Sequence, residues 1–220
     1  MGDVTISRRH FARSAGVAAG AVVLSGTTLA AFKARAAAEQ AELIRRADAT
    51  MAEAQHDPQF GNAAELFQTA KAVFVVPQLV KGGFFVGGEG GNGILLARTG
   101  HGWSGPAFYA IGSASFGLQI GVQVAELILF VMSERALQSL MRDEVKLGAQ
   151  AGLTVLVLGS NAQAATTTRG DFDLVAWSKS KGAYAGLTLE GSMIRARPEW
   201  NTAYYGHPVT PSQALRMASR

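Results

Sequence analysis

No cysteine occurs among the 220 residues, so neither a disulfide framework nor a lipid-modified cysteine anchor is available. Histidine is nearly as scarce: beyond residue 36 only His56, His101 and His207 remain, with no metal-ligand spacing between them. No carboxylate pair stands in a setting suited to acid/base chemistry. These absences predict no cofactor, no metal and no enzyme. The chain also lacks a long uninterrupted apolar run. Its most apolar stretch, Ala15 to Ala31, is short and diluted by Gly16, Gly20, Ser25, Gly26, Thr27 and Thr28, which argues against a membrane span.

Excess charge is missing too, once its position is considered. The formal net charge is +4, but of 20 basic and 16 acidic residues the first 36 positions hold five and one, leaving fifteen of each beyond them. A basic nucleic-acid binder is therefore not expected. Within the first 36 residues, Arg8 and Arg9 with Phe11 stand ahead of the diluted apolar stretch, and Ala34-Arg35-Ala36 offers a small-x-small cleavage site. The pattern reads as a twin-arginine export signal over 1–36, removed to leave a domain over 37–220 in the periplasm or outside the cell. That route carries folded proteins, which suits a chain that needs no disulfide.

What is abundant is glycine. Seven of the twelve residues from Gly82 to Gly93 are glycine, set among apolar residues. Glycine weakens a strand, so this density predicts bulges, sharp curvature or a close approach of backbone, with Gly87, Gly88, Gly117 and Gly121 at such places. Around this segment the periodicity is mostly that of strands, expected at 72–76, 83–87, 94–98, 107–112, 115–122, 125–131, 146–158, 173–178 and 183–190. Helical spacing precedes it: Ile44, Ala47, Met51 and Ala54 share one face, Glu42 and Arg46 form an i,i+4 pair, and Asp57-Pro58 ends the helix. A short helix is expected at 63–70 and a mid-chain one at 133–141, capped by Ser133. Thr210-Pro211 opens a last one. The expected fold is α+β: a glycine-rich, strongly curved, mainly antiparallel sheet or partial barrel, with the N-terminal helices and the mid-chain helix packed on it.

Two catalytic look-alikes fail on context. Gly88 to Gly93 spells G-x-G-x-x-G, but the sequel Ile94-Leu95-Leu96 is a strand where a dinucleotide site needs a helix N-terminus. A hairpin with Glu89 to Gly93 at or near its turn is expected instead. Gly102-Trp103-Ser104-Gly105 has Pro106 where a nucleophile elbow needs its second glycine. Aromatic residues are mostly assigned to the core, while Trp103, between glycines, is expected at the surface. Exposed aromatics beside cations suit a bilayer interface, which makes Lys81, Phe84, Phe85, Arg98, Trp103, Lys179 and Lys181 the lipid-contact candidates. Ser178 to Gly182 reads as the most compact basic turn.

Taken in order, AKAVFVVP, GGFFVGGEGGNGILLAR, the W-S-x-P turn, SFGLQIGVQ, KLGAQAG, SKSKGAYAG leading to LEG, and Tyr204-Tyr205-Gly206 resemble the SYLF domain family over Ala37 to Ala214. The resemblance implies an α+β, non-enzymatic domain that binds acidic phospholipid. In eukaryotic members it implies phosphoinositide and, for some, actin filaments. An exported protein would meet no actin, so membrane phospholipid, anionic in character, is the expected partner. The alternative is a structural or protein-interaction module of the periplasm, its glycine-rich face packed on another protein or on a second copy.

Overall fold

The computed structural model describes residues 26–58, 63–83, 86–116, 121–148, 152–158, 172–181 and 189–217. Helix α1 runs from Gly26 to Gln55, passing without interruption through the expected cleavage site, and α2 spans Ala63–Thr69. Among the α1 side chains described, which start at residue 34, those of 34–39 are largely exposed and Gln40 is the first that is buried. From there on Ala47, Met51 and Ala54 enter the core as expected, with Leu43 buried beside a partly buried Ile44, and Glu42 bonds Arg46 at 2.6 Å.

The sheet is strongly curled, a half-barrel, and all but one of its pairings are antiparallel. Its strands are β1 (Ala72–Gly83), β2 (Val86–Thr99), β3 (Gly102–Trp103), β4 (Ala107–Phe116), β5 (Gly121–Val131), β6 (Glu144–Lys146), β7 (Val155–Leu158), β8 (Leu174–Lys181) and β9 (Met193–Ala196). Their spatial order is β6-β9-β4-β2-β1-β5-β8-β7, with β3 beside β2. Helix α3 (Glu134–Leu140) follows β5, and α4 (Pro198–Tyr205) and α5 (Pro211–Ala214) close the chain. Ser133 accepts from the Ala136 amide as the cap expected of it, and the helix expected to open at Thr210-Pro211 does so, with a capping box between Thr210 and Gln213.

Both faces of the central strands are buried, which explains why they read as continuous apolar runs. Phe74, Leu95, Tyr109 and Leu129 point to a core shared with Ala136, Leu137 and Leu140 of α3 and with Ala214 and Leu215. The alternate residues Val73, Val75, Ile94, Phe108, Phe130 and Trp177 face a second core built with α1 and α2. Helix α4 is pinned to this second side: Gln40 Nε2 donates to the Trp200 carbonyl at 2.8 Å, and the Phe108 amide donates to Asn201 Oδ1 at 2.9 Å.

Four expectations are corrected. Glu89 to Gly93 form no turn; they lie inside β2, all paired with β4 and with Glu89 and Gly90 also paired with β1, because β1 itself continues to Gly83. The tightest backbone contacts among the described glycines fall at Gly91 and Gly93, which were not singled out, and of the expected ones Gly88 is not tight. A Cβ at Gly91 would lie 2.5 Å from the Gln78 carbonyl oxygen and one at Gly93 2.7 Å from that of Val75, whereas at Gly88 the nearest atom is 3.4 Å away. Gly117 lies outside the described residues. The single strand expected over 146–158 is divided into β6 and β7, because Gly148 (φ 120°) and Gly152 (φ 76°) adopt left-handed backbone that a strand cannot hold. Finally, β9 and α4 were not anticipated, although Pro198 at the start of α4 and Gly206 (φ 78°) after its end are the expected signals for a helix.

Candidate functional site

β1 departs from regular pairing at Pro77-Gln78: its register slips between Val76 and Leu79 against β5, and between Val75 and Val80 against β2. Proline has no amide to donate, so a bulge is where a proline can sit within a sheet. The irregularity opens a cleft of about 280 Å³ between α1 and the sheet, lined by Arg46, Thr50 and Glu53 of α1, Gln78 of β1, Glu126 of β5 and Lys179 of β8, with Pro77, Val124 and Ala125. Arg46 Nη1 donates to Gln78 Oε1 at 3.0 Å, the Thr50 hydroxyl donates to Glu126 Oε2 at 3.1 Å, and the Lys179 ammonium pairs with Glu53. That hydrogen bond, donated to the Glu53 carboxylate and aided by the nearby acids, raises the Lys179 pKa.

The strand register fixes what stands beside the cleft. Val80 pairs with Val124, which pairs with Lys181, so all three positions share the α1 side of the sheet. Val80 is 39% exposed, one of two large apolar residues so open among the described residues. One residue along, Lys81 aligns with Gln123 and Glu89, and Glu89 with Ser113, forming a polar row on the opposite face. Within it, the Ser113 hydroxyl donates to Glu89 Oε1 at 3.0 Å, while the buried Oε2 has no hydrogen-bond partner.

The candidate lipid contacts therefore separate. Lys179 lies on the α1 side, and position 181, in register with Val124, is two residues along the same strand; both are in β8 and not in the expected turn. Lys81 belongs to the same end of the sheet but to the other face. Phe84 and Phe85 lie outside the described residues, as do Arg8, Arg9 and Phe11. Arg98 is nine residues along β2 from Glu89, roughly 30 Å away at strand rise. Its guanidinium sits 4.2 Å from the Trp103 ring centroid and donates to the carbonyls of Phe67 and Ala70 at the end of α2. Trp103 is thus half-buried against the second core and not at the surface as expected, because the arginine covers it. Ser104 is equally structural: buried, its hydroxyl accepts from the Ala97 amide and donates to the Gly105 carbonyl. Arg46, Thr50, Glu53, Gln78 and Glu126 were not singled out from the sequence. Pro77 inside an apolar strand pattern was the one usable signal.

Among the described residues no group of three His, Asp or Glu could hold a metal ion, and no helix is long and apolar enough to cross a membrane. The half-barrel with a helix-covered cleft has the form of a binding domain. The family described as "Ysc84: Las17-binding protein actin regulator" matches residues 112–220. The chain is 34% identical over 154 residues to Protein YSC84 of Saccharomyces cerevisiae, covering 68% of this chain and 33% of that protein. It is 35% identical over 133 residues to SH3 domain-containing YSC84-like protein 1 of Xenopus laevis, covering 60% and 40%. The human protein of that name is 31% identical over 144 residues, covering 64% and 42%. The chain belongs to the Ysc84 (SYLF) domain family, and it spans about a third to two fifths of the length of these relatives.

Proposed function

We propose that this chain is a non-enzymatic domain that binds anionic phospholipid through the α1 side of its glycine-rich sheet end. The observation that carries this is the exposed Val80 in register with Val124 and Lys181 and bordering the cleft that holds Lys179. An apolar residue that can enter the interface, next to cations that remain at headgroup level, is the arrangement by which peripheral domains meet bilayers. A cation near an anionic surface contributes about 1 kcal/mol, so the Val80→Asp, Lys181→Glu double variant should bind anionic vesicles at least tenfold more weakly. Co-sedimentation of the protein with anionic and neutral vesicles at several salt concentrations tests this. An unchanged binding curve for the variant would remove this face, and no pelleting with any vesicle would remove lipid binding.

We further propose export by the twin-arginine route with removal of residues 1–36. Among the side chains described from residue 34 on, burial begins at Gln40, so cleavage after residue 36 would leave these core contacts in place. The Arg8→Lys, Arg9→Lys variant should accumulate uncleaved in the cytoplasm when expressed with the exporting machinery. Unchanged release into the periplasmic fraction would exclude this route. The relatives' description as Las17-binding actin regulators favours a second possibility, a protein partner. A stable dimer or a captured partner that blocks Val80 while vesicles fail to bind would favour it.

A further inference from the structure

The cleft under α1 carries balanced charge. Arg46 and Lys179 supply two cations, Glu53 and Glu126 two carboxylates, and Thr50 and Gln78 add neutral hydrogen-bonding groups within about 280 Å³. A ligand that is only anionic would meet the two cations but would also face both carboxylates, and like charges at that range oppose binding. A ligand carrying an ammonium beside a phosphate meets neither conflict. Its phosphate would take the place of Glu53 on Lys179 and approach Arg46, and its ammonium would take the place of the lysine between Glu53 and Glu126. The Lys179–Glu53 pair is thereby exchanged for ligand pairs, and the carboxylate of a serine headgroup would face the cation Arg46, which limits the desolvation cost. The cleft is at the small end of ligand sites, the size of a headgroup and not of a whole lipid. The bulge at Pro77-Gln78 that opens it is a feature of strands next to functional sites, and Val80 on the same side gives the attached acyl chains an apolar direction to leave by.

From this balance we infer that the cleft is a headgroup site for phosphatidylserine, whose ammonium stands next to the phosphate and a carboxylate, in preference to glycerol or inositol headgroups. This rests on the lipid-binding function proposed above and specifies its ligand. Glu126 is the discriminating residue: its carboxylate accepts from Thr50 and faces the position assigned to the ammonium.

Vesicles containing phosphatidylserine and vesicles containing phosphatidylglycerol at the same mole fraction have matched surface charge, because the added ammonium and carboxylate of the serine headgroup cancel. The protein should prefer the serine vesicles by about tenfold, the effect of one well-placed charge pair. Glu126→Gln, which keeps an acceptor for Thr50, should bring that ratio to within about twofold. Equal binding of the two vesicle types by the unaltered protein, or an undiminished preference in Glu126→Gln with native circular dichroism, would overturn the assignment. Soluble glycerophosphoserine, followed by thermal shift, separates the two levels of the proposal. If it stabilises the unaltered protein but not Glu126→Gln while vesicles fail to pellet, the cleft takes the headgroup chemistry from a free source and membrane binding is wrong. Pelleting without headgroup selectivity would leave membrane binding standing and overturn the cleft.

Discussion

Gly93→Val is expected to destabilise the domain by about 3 kcal/mol or more, the upper range for overpacking a core. The site allows no side chain from either direction. A Cβ there would lie 2.7 Å from the Val75 carbonyl oxygen and 2.8 and 2.9 Å from two ring atoms of Phe74. The backbone oxygen belongs to the neighbouring strand and cannot rotate away. Phe74 cannot yield easily either, since it is fully buried and stands edge-on to Tyr109 with ring centroids 6.0 Å apart. Tyr109 pairs with Gly93 across β4 and is itself held by its hydroxyl, which donates to the Leu140 carbonyl at 2.5 Å. Gly93 is the gap into which the two rings of the first core close. Gly93→Ala should cost roughly 2 kcal/mol, and Gly91→Ala a similar amount from its 2.5 Å approach to Gln78, with Tm lower by roughly 4–8 °C for a chain of this size. Gly100, where a Cβ would meet nothing within 4 Å, serves as the control and should change by less than about 0.5 kcal/mol as alanine. Urea unfolding measures all four; a Gly93→Ala protein as stable as the Gly100→Ala one would mean that the strands do not approach this closely.

These contacts also explain which parts of the molecule could be read in advance. Caps and short-range pairs were legible because they are written within a few residues: Ser133 at the start of α3, Thr210-Pro211 at the start of α5, Glu42 with Arg46. The strands of the double-sided sheet were legible as apolar runs. The reason for the glycines was legible only in kind, since the same string of glycines serves a turn or a close approach, and which applies depends on Val75 and Gln78 in another strand. Trp103 between glycines has the local features of an exposed tip, and only the arrival of Arg98 over its ring buries it. The cleft was not legible at all. Its contacts join residues 32, 76 and 126 positions apart, and each of them alone is an ordinary polar residue on a helix or strand surface.

Asp173→Ala should cost about 3 kcal/mol at neutral pH, and most of that cost should disappear in acid. Asp173 is only 3% exposed, yet its carboxylate is fully engaged. Oδ1 accepts from the Ser133 hydroxyl at 2.5 Å and from Arg135 Nε at 3.2 Å, and Oδ2 from Arg135 Nη2 at 2.5 Å and from the Thr154 amide and hydroxyl at 3.0 and 3.1 Å. One side chain thus ties together the cap of α3, the approach to β7 and the start of β8, and hydrogen bonds to a charged group contribute about 1.5–3 kcal/mol each when made in a buried setting. Arg135 is 66% exposed, so part of its share is screened by water and the bonds do not add in full. Burial alone would raise the Asp173 pKa, but the bonds from Arg135, Ser133 and Thr154 outweigh it and bring it from the ordinary 3.8 down to about 2. A carboxyl whose pKa is lower in the folded state stabilises that state above its unfolded pKa and loses the contribution as pH falls through the folded one. The contribution should therefore be complete above about pH 5 and fade between roughly pH 4 and pH 2, amounting to about 2 kcal/mol. Urea unfolding of the unaltered protein and of Asp173→Ala at about pH 7 and about pH 2.5 tests this directly. The gap between them should narrow in acid as the protonated carboxyl loses its charge-assisted bonds. A gap of the same size at both pH values would show that Asp173 acts through its packing and not through its charge.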